Sequence, residues 1–160
     1  MLQQKSQIVP LLRQEEGVKY TPYLDSLGYP TVGVGFKLGP AGASLKNYTF
    51  TLCDNTINAW LADDVADVQS EMQENEDISA ALAHCNQPRK DILTSMGFQM
   101  GVSGLAGFKN MLKAIVAEDW NEAVEQMLDS TWAKQTPNRA QRHAAVMQSG
   151  KWRPTYKFSV

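Results

Sequence analysis

The sequence predicts an α+β fold that is mostly helical, with one small β-rich region near the N-terminus. Between Val18 and Phe36, Thr, Tyr and Val alternate with Gly, Pro, Asp and Ser, a pattern typical of strands joined by turns. From Asp54 onward, apolar residues recur instead at steps of three or four, as they do on one face of a helix. We therefore expect a small sheet followed by helices.

A first helix is predicted before the strands, because Ile8, Leu11 and Leu12 follow helical spacing. Pro10 is tolerated there only if it lies in the first turn, where a missing backbone N–H costs nothing. Gly17 is a natural stop, since glycine readily adopts the left-handed conformation at the end of a helix. Glu16 should then lie in the last turn.

The segments after the hairpin are predicted from the same periodicities. Residues 48–52 combine Tyr, Thr, Phe and Leu and could add another strand. A long helix is expected from Asp54 to Met72, because its apolar residues recur at helical steps. Further helices are predicted at 88–100, 112–116, 121–128 and 140–147.

Three polar residues near the start of the chain have the chemistry of a glycosidase site. They are Glu16, Asp25 and Thr31, which converge if the first helix gives way to a hairpin. Cleavage of a glycosidic bond needs one carboxylic acid to protonate the leaving oxygen and one carboxylate to activate water or attack carbon. The negative end of a helix disfavours a charged Glu16, whereas a turn offers Asp25 hydroxyl and N–H donors.

Motifs spread over most of the chain resemble those of the phage T4 lysozyme family. The first half has Glu-Gly at 16–17, Tyr-x-Asp at 23–25 and Gly-Tyr-x-Thr-x-Gly-x-Gly at 28–35. In the second half the likeness resumes in the same order at 98–101, at 104–108, at Trp132 and at 135–140. It is weakest at about residues 37–52 and 75–92.

The resemblance implies a single lysozyme-like domain over residues 1–160. Its N-terminal lobe, about 13–60, would contain the β-hairpin, and a long helix would join it to a helical C-terminal lobe. That second lobe, about 61–160, would pack with the N-terminal helix. Trp132 is assigned to the core.

The resemblance also implies an activity, the hydrolysis of the β-1,4 bond between N-acetylmuramic acid and N-acetylglucosamine in bacterial peptidoglycan, with inversion at the anomeric carbon. Glu16 would be the general acid, Asp25 would position or activate water, and Thr31 would help to hold that water. The predicted role is cell lysis of the endolysin type.

Three residues of the second half match family positions that contact the polysaccharide. Gln99 and Phe108 would line the sugar-binding cleft, where an amide and an apolar surface suit a sugar. Arg139 would lie beside the catalytic glutamate, although its position also allows an ordinary surface residue of a helix. We predict that all three bind substrate.

The sequence departs from the best-known family member in two ways. Phe36 stands where that protein has a histidine, so the ion pair between this position and the long-helix aspartate, here Asp64, cannot form. The net charge of −2 is also unlike the basic character of that relative, and it does not favour strong attraction to an anionic polymer.

Composition restricts the remaining possibilities. The first residues lack the order of a signal peptide and no apolar run is long enough to span a membrane, so we predict synthesis in the host cytoplasm and no stable membrane insertion. Cys53 and Cys85 are too few for a disulfide framework, and His84 and His143 lack metal-site spacing. We expect no metal or cofactor, no nucleic acid partner, and a monomer.

Two other functions remain open on the sequence alone. The chain could be a non-catalytic protein that binds the cell wall or belongs to a phage tail, or it could be the same enzyme used as a toxin or tail module. The presence of Glu16, Asp25 and Thr31 favours catalysis.

Overall fold

A computed structural model describes residues 4 to 158 and confirms the mostly helical α+β prediction. The strands are β1 (Lys19–Leu24), β2 (Pro30–Gly33) and β3 (Phe36–Lys37). The helices are α1 (Ile8–Glu16), α2 (Asp54–Glu74), α3 (Glu76–Ala83), α4 (Gln87–Met100), α5 (Val102–Ala106), α6 (Lys109–Val116), α7 (Trp120–Leu128), α8 (Thr131–Gln135) and α9 (Pro137–Ser149). One turn of 3₁₀ helix covers Leu45–Asn47.

The chain divides into two compact units. The smaller unit is Val9–Asp64, and the larger unit contains the residues up to Ile8 and those from Val65 onward. Both boundaries fall inside helices, the first in α1 and the second in α2. That the chain is a single domain, with lobes meeting near residue 60, stays a prediction.

The smaller unit contains an antiparallel sheet of order β1-β2-β3. Tyr23 of β1 pairs with Thr31 of β2, and Val32 of β2 pairs with Phe36 of β3. Every residue of β2 is buried, as expected for a central strand. The fully buried apolar side chains of this unit are Leu11, Leu12, Val32, Ile57 and Leu61.

The strand predicted at residues 48–52 is wrong. This segment has no regular structure, and its contact with the sheet is one backbone hydrogen bond, from the N–H of Leu52 to the carbonyl of Tyr20, at 2.8 Å. Phe50 remains 39% exposed. A β-prone sequence forms a strand only where continuous pairing and a buried face are available, whereas residues 48–52 make one backbone bond to β1 and none of them is buried.

The larger unit is built around α4. Its residues from Asp91 to Gly97 are all buried, and the helix packs against α5 and α9. Polar residues of α4 are therefore buried too: Asp91, Thr94 and Ser95. Each of them makes hydrogen bonds, as buried polar groups must.

The predicted helices of this unit are confirmed, with ends that differ by up to three residues. The structure also contains three short helices that apolar spacing did not predict, namely α3, α5 and α8. Asn75 begins α3 by accepting a hydrogen bond from the N–H of Ile78 at 3.0 Å, and Ser130 begins α8 in the same way from Ala133 at 3.1 Å. Between residues 4 and 158, no helix is both long and apolar enough to cross a membrane.

Candidate active site

Glu16 is the last residue of α1. Gly17 ends the helix in the left-handed conformation, with φ of +77°, and donates its N–H to the carbonyl of Arg13 at 3.1 Å. The Arg13 guanidinium in turn donates to Asp54 at 2.7 Å and to Asn58 at 3.0 Å. These two bonds tie the last turn of α1 to the first turns of α2, and so fix the turn that carries Glu16.

Glu16 itself is exposed. The sequence interpretation relied on the negative end of the helix to favour its neutral form, with shielding from water as an additional condition. Because Glu16 is exposed, the protein without a ligand does not shield it from water.

Asp25 directly follows β1, in a tight turn that orients its carboxylate. Its Oδ1 accepts hydrogen bonds from the backbone N–H groups of Leu27 and Tyr29, both at 2.9 Å. The turn is closed by backbone bonds from Asp25 N–H to Tyr29 at 2.9 Å and from Gly28 N–H to Asp25 at 3.0 Å. Within residues 4–158 Oδ2 accepts no hydrogen bond, so one oxygen is anchored and the other can accept from a ligand.

Thr31 lies on β2, opposite Tyr23, and is only 2% exposed. Its hydroxyl donates to the carbonyl of Tyr29 at 2.8 Å. Because the hydroxyl hydrogen is engaged, the oxygen can only accept from a water molecule. The backbone of Tyr29 thus makes hydrogen bonds with both Asp25 and Thr31.

The structure brings the three predicted catalytic residues into one unit, around a single strand. Glu16 lies three residues before the start of β1, and Asp25 directly follows the last residue of β1. Thr31 of β2 is paired with Tyr23 of β1. The hairpin register, and not the spacing in sequence alone, makes Asp25 and Thr31 neighbours.

The three predicted substrate-binding residues lie in the larger unit, and Trp132 contacts two of them. Its indole N–H donates to Oε1 of Gln99 at 2.8 Å, and its ring meets that of Phe108 edge to face, with centroids 6.2 Å apart. Both Gln99 and Phe108 line a groove of about 670 Å³. Because Oε1 accepts from Trp132, the amide NH₂ of Gln99 remains a donor for a ligand.

Arg139 is buried, with 7% of its surface exposed, so the alternative of an ordinary surface residue is wrong. Its guanidinium donates to Oγ of Ser95 at 2.9 Å. It does not line the groove that contains Gln99 and Phe108. A buried guanidinium whose donors are directed by α4 is suited to hold an anion or a carbonyl oxygen in a fixed geometry.

A model of the phage lysozyme family matches residues 13–147. The chain belongs to the phage lysozyme family. The match includes all six predicted catalytic and substrate-binding residues, and it confirms the resemblance that the sequence motifs indicated.

Three curated relatives illustrate the range of this phage lysozyme family. The chain is 29% identical to the probable T4-type lysozyme 1 of Dictyostelium discoideum, over 91% of this chain and 95% of that protein. It is also 29% identical to the endolysin of Salmonella phage P22, over 84% of this chain and 86% of that protein. Family and relatives together support a lysozyme-type glycoside hydrolase.

The third relative is the pre-baseplate central spike protein Gp5 of Enterobacteria phage T4. It is 29% identical over 88% of this chain, and the chain spans only 27% of the length of that protein. A segment similar to this chain thus also occurs inside a longer phage protein.

Phe36 replaces the expected family histidine with an apolar contact. Its ring stacks on that of Trp60, with centroids 4.4 Å apart and planes at 11°. Such pairs contribute about 0.5–1.5 kcal/mol beyond the burial of their surface. The chain stabilises this position by stacking, where the sequence comparison led us to expect only the loss of an ion pair.

The contacts of Trp132 with Gln99 and Phe108 were not predicted from the sequence. Trp132 is buried, as predicted, but it also fixes the amide of Gln99. A general signal existed, since a buried tryptophan usually finds an acceptor for its N–H. The identity of that acceptor depends on the packing of α8 against the end of α4 and is not readable from sequence spacing.

Proposed function

We propose that this member of the phage lysozyme family is a muramidase that cleaves the β-1,4 bond between N-acetylmuramic acid and N-acetylglucosamine in bacterial peptidoglycan. The observation that carries the proposal is the Asp25 turn. Two backbone N–H groups orient one carboxylate oxygen and leave the other for a ligand. This is the arrangement required of a carboxylate that must hold a water molecule in one direction.

In this mechanism Glu16 protonates the leaving oxygen and Asp25 accepts a proton from the attacking water. The oxygen of Thr31 accepts the second hydrogen of the same water. Attack by water opposite the leaving group inverts the anomeric carbon, which requires room for water between the two carboxyl groups. The side chain of Glu16 is exposed and so is accessible to a bound polysaccharide.

Gln99, Phe108 and Arg139 are proposed to bind the polymer. The amide NH₂ of Gln99, directed by Trp132, suits an acetyl carbonyl, and Phe108 offers an apolar surface to a sugar ring. Arg139 supplies fixed donors. The reaction needs no metal or organic cofactor. We further propose that the enzyme is made in the host cytoplasm as a monomer and reaches the wall through a permeabilised membrane.

The test is the analysis of fragments released from purified peptidoglycan by the wild type and by Glu16→Gln. The wild type should release N-acetylmuramic acid reducing ends that appear first as the α anomer. Glu16→Gln should bind the wall but lose about a hundred- to ten-thousandfold in rate, the usual contribution of general acid catalysis.

Glu15→Gln is the matched control for this experiment. It removes one charge from the same helix end, but the side chain points about 100° away around the helix, so activity should persist. Full activity in folded Glu16→Gln would disprove the acid assignment. An initial β anomer would disprove inversion and leave muramidase activity intact.

A second candidate function, suggested by the likeness to the T4 central spike protein, is a tail-associated role. In its non-catalytic form this role predicts that the wild-type chain binds peptidoglycan and releases no reducing ends. The fragment analysis therefore separates it from the muramidase.

A further inference from the structure

Arg139 belongs to a buried polar chain that also contains Ser95, His143 and Tyr156. Oγ of Ser95 lies 2.9 Å from the Arg139 guanidinium and 2.7 Å from Nε2 of His143. The other ring nitrogen of His143 lies 2.9 Å from the hydroxyl of Tyr156. Ser95, His143 and Tyr156 are all fully buried.

The direction of these hydrogen bonds follows from the chemistry of the groups. A guanidinium can only donate, so the oxygen of Ser95 accepts from Arg139. Because the structure gives Oγ of Ser95 no other acceptor among residues 4–158, we assign the serine hydrogen to the bond with Nε2 of His143. With Nε2 as acceptor, the imidazole is neutral and its hydrogen resides on Nδ1, from which it donates to Tyr156.

His143 prevents Ser95 from making the bond that a serine in a helix otherwise favours. A hydroxyl within a helix commonly donates to the carbonyl four residues earlier. The neighbouring Thr94 does so, to the carbonyl of Lys90 at 2.9 Å. Because His143 holds the hydrogen of Ser95, the lone pairs of Ser95 remain turned towards Arg139.

We propose that His143 is a positioning residue that acts through Ser95 to fix the guanidinium of Arg139 for substrate binding. The contribution to substrate binding rests on the proposed function, whereas the fixation of the guanidinium does not. The ring of His143 also lies 6.0 Å from that of Trp132, which orients Gln99. One histidine thus contacts the supports of two substrate-binding residues.

The test compares two substitutions that differ in reach. Gln at position 143 can place its terminal amide where Nε2 of the imidazole lies and so retains a partner for Ser95. Asn is shorter and reaches only the position of Nδ1. His143→Gln should therefore preserve the orientation of Arg139, whereas His143→Asn should release it.

Nitrogen-15 NMR measures this orientation without reference to activity. In the wild type and His143→Gln, slow rotation should give the Arg139 guanidinium two separate Nη signals, which should merge in His143→Asn. Ser95→Ala should merge them too, and it serves as a second variant if His143→Asn does not fold. Merged signals in the wild type would overturn the proposal, whatever the protein's activity.

The functional arm is a double-mutant cycle on solubilised peptidoglycan, with thermal unfolding measured in parallel. His143→Asn should raise KM about tenfold, the equivalent of one hydrogen bond, with a smaller change in kcat. In an Arg139→Ala background it should have no further effect. Equal losses in both backgrounds would show a merely structural role and overturn the proposal. An inactive wild type with separate Nη signals would instead refute only the proposed function.

Discussion

Replacement of Asp25 by Asn should separate catalysis from stability. The Oδ1 of an asparagine can accept the same two backbone hydrogen bonds, from Leu27 and Tyr29, that the aspartate accepts at 2.9 Å. The turn after β1 should therefore persist in Asp25→Asn. The amide cannot accept a proton from water, so the lytic rate should fall by about a hundredfold or more.

The expected stabilities follow from the two hydrogen bonds. Hydrogen bonds to a charged acceptor contribute about 1.5–3 kcal/mol and those to a neutral one about 0.5–1.5 kcal/mol. Since Asp25 is half-buried and Leu27 is exposed, the low value of each range applies to both bonds, and Asp25→Asn should lose about 2 kcal/mol of unfolding free energy. Asp25→Ala loses both acceptors and should be about 3 kcal/mol less stable than the wild type.

For a protein of this size, 1 kcal/mol lowers Tm by about 2–4 °C, so Asp25→Asn should melt about 6 °C lower and Asp25→Ala about 9 °C lower. The assay combines calorimetric melting with the rate of reducing-end release from purified peptidoglycan. Both variants should be inactive, and the alanine variant should be the less stable of the two. Near-normal activity in Asp25→Asn, or equal melting temperatures of the two variants, would refute this account of the turn.

Two further predictions concern the ionisable side chains Asp91, Cys53 and Cys85. Burial raises the pKa of the fully buried Asp91 above its ordinary value of 3.8, outweighing its hydrogen bonds from Gln7, Ser6 and Gln87. The folded state then binds this proton more readily than the unfolded state, so the contribution of Asp91 to stability increases as pH falls through the folded pKa towards 3.8. In urea unfolding, acidification over that range should favour the wild type over Asp91→Asn, and parallel curves would contradict the assignment. Burial also raises the pKa of the Cys85 thiol to about 12, whereas a hydrogen bond to Thr56 lowers that of the exposed Cys53. Iodoacetamide at neutral pH should therefore modify Cys53 in the folded protein and reach Cys85 only after unfolding, which peptide mass spectrometry would show; equal rates in the folded state would disprove the difference.

Sequence patterns correctly predicted those elements whose conformation is set by residues close to them in the sequence. The stop at Gly17 is encoded in one residue, because its backbone conformation, with φ of +77°, strongly favours glycine. The turn after Asp25 is similarly local, since the hydrogen bonds of the Asp25 carboxylate and the backbone bonds that close the turn connect residues 25–29. The long helix α2 followed from apolar spacing over many turns.

Sequence patterns failed to predict secondary structure where it depends on packing against residues that are distant in the sequence. Residues 48–52 have strand composition but meet the sheet through one backbone bond, because a strand requires a partner that local sequence does not supply. The short helices α5 and α8 contain only five residues each, too few for a periodic signal.

For the candidate site, the sequence by itself determined which groups can do the chemistry: a carboxyl at a helix end, a carboxylate in a turn and a hydroxyl on the next strand. Tertiary structure decided how the substrate-binding groups are held. Gln99 is oriented by Trp132, and Arg139 is directed by Ser95 and His143, across sequence separations of 33 to 48 residues. The physical reason is that a hydrogen bond between distant residues exists only once their helices have packed, and no local pattern records which buried donor will meet which acceptor.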